Sequence, residues 1–167
     1  MKRWMMWTAL LTLFALPASA LAQNPMFGIG VNYWRAIDDV RVNDIDRDGL
    51  GYVVSLSERQ GLFGVVLEVE HAPDGRGVSP KSVTSPELLV TVGGLLWAGV
   101  GIGIDYTDGS FASKPFYDFR AGVRIELLPL PIEGFVNYRF NDWQDSSLFR
   151  DIDSDTLIIG LRLHFPL

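Results

Sequence analysis

An all-β chain, closed as an eight-stranded antiparallel up-and-down transmembrane β-barrel, is the fold class that three features of this sequence predict. Eight segments alternate apolar and polar residues at period two, so each presents one hydrocarbon face and one polar face. The connections between them alternate short and long, which puts tight turns on one rim and loops on the other. Glycines gather on the polar faces, while all five tyrosines fall on the apolar ones.

The chain opens with residues 1–22, which read as a cleaved secretory signal peptide. Lys2 and Arg3 are its positive start, Trp4 to Leu16 an apolar run too short to span a bilayer well, and Pro17 to Ala22 a small-residue cleavage region. Residues 23–167 are then a single barrel domain by length. Without Lys2 and Arg3 that domain has 12 basic against 20 acidic residues, a formal charge of −8. This argues against nucleic acid as a partner, because neutralising phosphates takes clustered Lys and Arg. With no cysteine, disulfides, thiol chemistry and thiolate metal sites are excluded, so something else must hold an exported chain together. No later segment is an apolar run of about 18 residues, which excludes a transmembrane helix but is silent on strands.

The strands follow in order. In 26–36, Phe27, Ile29, Val31 and Tyr33 oppose Gly28, Gly30, Asn32 and Trp34. In 50–57, Leu50, Tyr52, Val54 and Leu56 oppose Gly51, Val53, Ser55 and Ser57. In 62–70, Phe63, Val65, Leu67 and Val69 oppose Gly64, Val66, Glu68 and Glu70. In 87–93, Leu88, Val90 and Val92 oppose Glu87, Leu89, Thr91 and Gly93. In 96–106, Leu96, Val100, Ile102, Ile104 and Tyr106 oppose Trp97, Gly99, Gly101, Gly103 and Asp105. In 116–127, Tyr117, Phe119, Val123, Ile125 and Leu127 oppose Asp118, Arg120, Gly122, Arg124 and Glu126. In 132–140, Ile132, Val136, Tyr138 and Phe140 oppose Glu133, Phe135, Asn137 and Arg139. In 155–167, Leu157, Ile159, Leu161, Leu163 and Phe165 oppose Ile158, Gly160, Arg162 and His164. Short links fall at 58–61, 94–95 and 128–131, and long polar ones at 37–49, 71–85, 107–115 and 141–154.

Alternation alone leaves open which face is inside. Eight strands enclose a space just wide enough for side chains, and long Arg and Glu chains fit there only beside small neighbours. The polar-face glycines therefore predict a charged interior and an apolar exterior. The aromatic residues agree: Tyr33, Tyr52, Tyr106, Tyr117 and Tyr138 lie near the long-loop ends, and Phe165, with Phe27 and Phe63, near the short-turn ends, as a membrane girdle requires. A soluble lipocalin-like periplasmic carrier would need the reverse orientation.

Inside, Glu68, Glu70, Asp118, Arg120, Arg124, Glu126, Glu133, Arg139 and Arg162 are expected to form an ion-pair network, with Asp105 and His164 as further inward groups. Buried charges must be paired, and eight strands leave no aqueous channel, so a plug is expected rather than a pore. On the long-loop rim, Asp44-Ile45-Asp46-Arg47-Asp48-Gly49 resembles the start of a calcium loop, and Asp151 and Asp153 belong to a second acidic segment. The twelfth position of the first is Ser55, which excludes a full EF-hand. The expectation is at most a weak Ca²⁺ or Mg²⁺ site at Asp44, Asp46, Asp48, Asp151 and Asp153, and otherwise no cofactor.

The signal, strand count, loop alternation, girdles, charged interior and closing strand together resemble the small eight-stranded bacterial outer-membrane barrels, of the OmpX type and the membrane domain of OmpA. The likeness covers the whole mature chain but rests on pattern; no short motif carries it. It implies an outer-membrane location, outer-membrane lipid and lipopolysaccharide as surroundings, insertion by the barrel assembly machinery, a monomer, and a non-enzymatic structural or surface-interaction role. The class usually ends on its aromatic, whereas here Pro166 and Leu167 follow Phe165. Some such barrels are lipid A-modifying enzymes, which need Ser, His and an acid together near the outer leaflet. His71 stands at the right end but lacks a deacylase-like His-x-Ser, and His164 is at the other end, so no catalytic residue is assigned.

Overall fold

The computed structural model describes residues 25–37, 48–76, 81–126, 130–140 and 155–167. Eight long strands form the wall: β1 (Met26–Ala36), β2 (Asp48–Gln60), β3 (Phe63–Ala72), β4 (Val83–Gly93), β5 (Leu96–Gly103), β8 (Phe116–Ile125), β9 (Ile132–Phe140) and β10 (Thr156–Pro166). Between β5 and β8 lies a small hairpin, β6 (Tyr106–Thr107) with β7 (Ser110–Phe111). Each long strand pairs antiparallel with its neighbour in sequence, and β1 pairs with β10, which closes the barrel. The eight-stranded up-and-down architecture expected from the sequence is therefore the one the chain adopts. Closure leaves no sheet edge among the long strands unpaired.

The pleat decides the polarity. Along β10, Leu157, Ile159, Leu161 and Leu163 are exposed, while Ile158, Gly160, Arg162 and His164 are buried. The same alternation holds around the wall, and Leu161 is 60% exposed where Arg162 beside it is 2%. Hydrocarbon faces outward and charge inward, opposite to a soluble carrier. The interior also holds a compact apolar cluster of Trp34, Val66, Leu89, Trp97, Phe135 and Ile158. Glycine makes the room. A Cβ on Gly101 would strike the Glu87 carboxylate, and one on Gly160 the ring of Phe135.

Strand limits shift in several places: β2 runs from Asp48 to Gln60 and not only over 50–57, taking in most of the expected 58–61 link, and β3 runs from Phe63 to Ala72 against the expected 62–70. β4 starts at Val83 and runs through Pro86, whereas the sequence suggested a start at Glu87. Pro86 sits opposite Val69, and its carbonyl accepts from Ile104 N at 3.1 Å. Its missing N–H points the same way, toward Ile104 just past the end of β5, so the proline forgoes a donor at the margin of the β4–β5 ladder and not in its middle. β8 stops at Ile125, short of the expected Leu127. The expected 96–106 strand breaks after Gly103, and residues 106–111 fold into the hairpin. Asp108 and Gly109 both take positive φ there, 52° and 81°, the backbone of a two-residue Asp-Gly turn.

Candidate functional site

The strands bring the inward charges into one connected column. β9 and β10 place Glu133 and Arg162 as register partners, and β8 sets Arg124 opposite Glu133. At the short-turn end Glu133 Oε2 lies 2.8 Å from Arg124 Nη2 and 3.5 Å from His164 Nε2, and its Oε1 lies 3.8 Å from Arg162 Nε. Arg162 reaches up to Glu68 at 2.6 Å and also donates to Ser55 Oγ at 3.1 Å. Glu68 accepts from Arg120 at 2.8 Å, and Arg120 bridges on to Glu87 at 3.1 Å and Asp118 at 3.3 Å. Arg139 holds the same two carboxylates, at 3.2 Å and 3.0 Å, and meets Glu70 at 3.1 Å. Glu70 is finally paired with Arg76, which enters the mouth at the long-loop end from the segment after β3.

Neutral amides and rings fill the gaps. Asn32 donates to Glu70 at 2.7 Å and Asn137 to Asp118 at 2.6 Å. Arg120 and Arg162 stand 4.8 Å and 5.2 Å from the Phe135 ring, and Arg139 lies 3.8 Å from that of Phe116, so the guanidinium planes are packed against π faces as well as carboxylates. At the mouth, Ser85 donates to Asp105 at 2.5 Å. Burial pushes the Asp105 carboxyl above its ordinary value, against the opposing pull of Arg76.

Among the described residues each buried Glu, together with Asp118, has at least one arginine, so the column has few unmatched charges to attract water or ions. Chemically it is suited to filling and bracing. Of the residues named from the sequence, Glu68, Glu70, Asp118, Arg120, Arg124, Glu133, Arg139 and Arg162 are brought together, and Glu126 is not. Glu126 lies exposed just past the end of β8, where the strand has stopped alternating. Two members were missing from that set. Glu87 stood on the polar face of its strand and was recognisable there, but Arg76 lies in a connection that no periodicity marks.

Outside, Tyr33, Tyr52, Tyr106 and Tyr138 are exposed, and Tyr117 and Phe165 half-buried, all on the apolar face. Tyr117, Phe119 and Tyr138 surround Phe140 at ring distances of 5.5–5.8 Å. Asp48 opens β2 in register with Arg35 and is exposed. Asp44, Asp46, Asp151 and Asp153 lie outside the described residues.

No protein-family model matches the chain, and no curated protein matches it. Solved structures do. Neisserial surface protein A superimposes with a TM-score of 0.53 at 11% identity, over 84% of this chain and 97% of that one. The N-terminal β-barrel domain of Pseudomonas aeruginosa OprF gives 0.48 at 12%, over 86% and 100%. The Yersinia pestis outer membrane protein Ail, in a phospholipid bilayer nanodisc, gives 0.45 at 14%, over 84% and 99%. At 11% identity the first likeness is one of fold.

Proposed function

We propose that this chain is an outer-membrane β-barrel protein whose interior is closed by a structural ion-pair plug, with acidic loops facing outward and a structural or surface-interaction role rather than a catalytic one. The observation that carries the reading is the inverted polarity of the wall. A continuous outward belt, from Phe63 to Val69 on β3 and from Leu157 to Leu163 on β10, has no other solvent that suits it than lipid hydrocarbon. The full strands, 10 residues for β3 and 11 for β10, match the roughly 9–11 tilted residues that span such a core. The column supports the plug, because each Arg in it is held by carboxylates and an eight-stranded bore is just wide enough for side chains to fill. On this reading outer-membrane lipid and lipopolysaccharide surround the barrel, the barrel assembly machinery inserts it, and it works as a monomer.

Cell fractionation with heat-modifiable gel mobility tests the reading. The protein is expected in the outer-membrane fraction, migrating as a compact form that shifts on boiling. In planar bilayers it is expected to give no steady unitary conductance. Recovery in the soluble periplasmic fraction would overturn the location, and a stable open channel would overturn the plug.

A further inference from the structure

On β3 the outward face is hydrocarbon through Phe63, Val65, Leu67 and Val69, and then stops at His71. On β4 it runs through Val92, Val90, Leu88 and Pro86, and stops at Thr84. His71 and Thr84 are register partners, with His71 Nδ1 3.0 Å from Thr84 Oγ1. Tyrosines flank the pair at the same level. Tyr52 is the partner of His71 on β2, and Tyr106 the partner of Thr84 on β6. Phe111 packs edge-on to Tyr106, with centroids 5.0 Å apart, and fixes that ring.

One row across four strands thus ends the apolar belt with hydroxyls and an imidazole. The His–Thr bond uses one donor and one acceptor. In either neutral tautomer the pair keeps one donor to offer outward, from His71 Nε2 or from the Thr84 hydroxyl. The two tyrosine hydroxyls add a donor each. The row itself contains no carboxylate: the neighbouring Glu70 points inward, and Asp105 is held by the buried Ser85. A donor-rich row directly above hydrocarbon matches an oxygen-rich anionic group carried on acyl chains.

We propose that the Tyr52–His71–Thr84–Tyr106 row seats the phosphorylated headgroup of an outer-leaflet lipid, whose acyl chains lie along Leu67, Val69, Pro86 and Leu88. The inference rests on the outer-membrane reading above and deepens it.

The test uses the full-length barrel in phosphatidylcholine nanodiscs, with or without a small fraction of lipid A. Native mass spectrometry counts retained lipid A, and NMR follows the His71 ring signals. The wild type is expected to retain lipid A, with ring signals that move on its addition and stay put with inorganic phosphate in phosphatidylcholine alone. The double variant His71→Leu, Thr84→Val is expected to retain about tenfold less, the effect of losing roughly one hydrogen bond to a charged group. Heat-shifted mobility shows that the variant is folded. Should it not fold, Tyr52→Phe with Tyr106→Phe keeps the rings, removes both flanking hydroxyls, and is expected to lower retention several-fold. Equal retention by wild type and a folded variant, or ring signals that respond equally to inorganic phosphate, overturns the inference. A barrel that resides in the outer membrane but is blind to lipid A defeats this inference alone, whereas a protein absent from that membrane defeats the functional reading beneath it.

Discussion

Replacing Arg120 by Met is the sharpest probe of the column. Its guanidinium contacts Glu68, Glu87 and Asp118 at 2.8, 3.1 and 3.3 Å, with the side chain 1% exposed. Met keeps much of the volume and the packing on Phe135 but removes the charge. Each carboxylate keeps a second arginine: Glu68 has Arg162, and Glu87 and Asp118 have Arg139. The damage is therefore one surplus buried negative charge rather than three orphaned ones. Removing one partner of a buried pair costs about 3–5 kcal/mol, and the remaining arginines put the expectation near the lower figure. With a urea slope of about 1–3 kcal/mol/M, the unfolding midpoint should fall by roughly 1–3 M. Fluorescence of the buried Trp34 and Trp97 in lipid vesicles reports the transition. Adding Glu87→Gln to Arg120→Met restores charge balance and should recover a substantial part of the loss, a coupling measurable as a double-mutant cycle. A single variant that loses less than about 1 kcal/mol, or a double variant no better than the single, would mean that water already solvates these charges.

The belt, the mouth and the acidic rim each give a further expectation. Leu161→Arg puts a charge on the outward face near mid-height and should cost about 2–4 kcal/mol in lipid vesicles, against near zero if that face met water. Asp105 has a carboxyl raised by burial, so its contribution to stability is full below its unfolded pKa of about 3.9 and is lost as pH rises through the higher folded value. Asp105→Asn should leave stability unchanged in acid and raise it at neutral pH, and parallel pH curves of urea midpoints for the two proteins would refute this. The weak Ca²⁺ or Mg²⁺ site proposed at Asp44, Asp46, Asp48, Asp151 and Asp153 should give calorimetric heat with a Kd of about 10⁻⁴–10⁻³ M that Asp46→Asn abolishes. Titration without heat removes that site.

The wall was legible because its physics is local. Period-two alternation is written into each strand, so 26–36 and 132–140 are found at the limits read from the sequence. The same alternation assigns nine charges to the interior network, and all but Glu126 meet there. The failures share a cause in the third dimension. Pro86 looks like a strand breaker until β5 is known to end beside it. Glu126 follows the alternation on paper, but β8 ends one residue before it. Arg76 reaches Glu70 from a connecting segment with no periodicity, and the Asp108-Gly109 dipeptide gives no sign, in an otherwise polar link, of the β6–β7 hairpin it closes.

The polar column and the apolar belt enforce one another through register. A strand that slipped by one residue would exchange its faces completely. Slipping β8 would turn Arg120 and Asp118 toward lipid and send Phe119 and Val123 into a bore already occupied by Trp97 and Phe135. An arginine at mid-membrane costs about 2–4 kcal/mol, and Glu68, Glu87 and Glu133, left behind in the bore, would each lose one of their cationic partners. The penalty falls on both faces at once, whereas a soluble sheet with one solvated face suffers chiefly on its buried side. The ion pairs need not add net stability over a hydrocarbon filling to matter. They favour the register, because a one-residue slip of β8 turns Arg120 away from Glu68 on β3 and Glu87 on β4, and Arg124 away from Glu133.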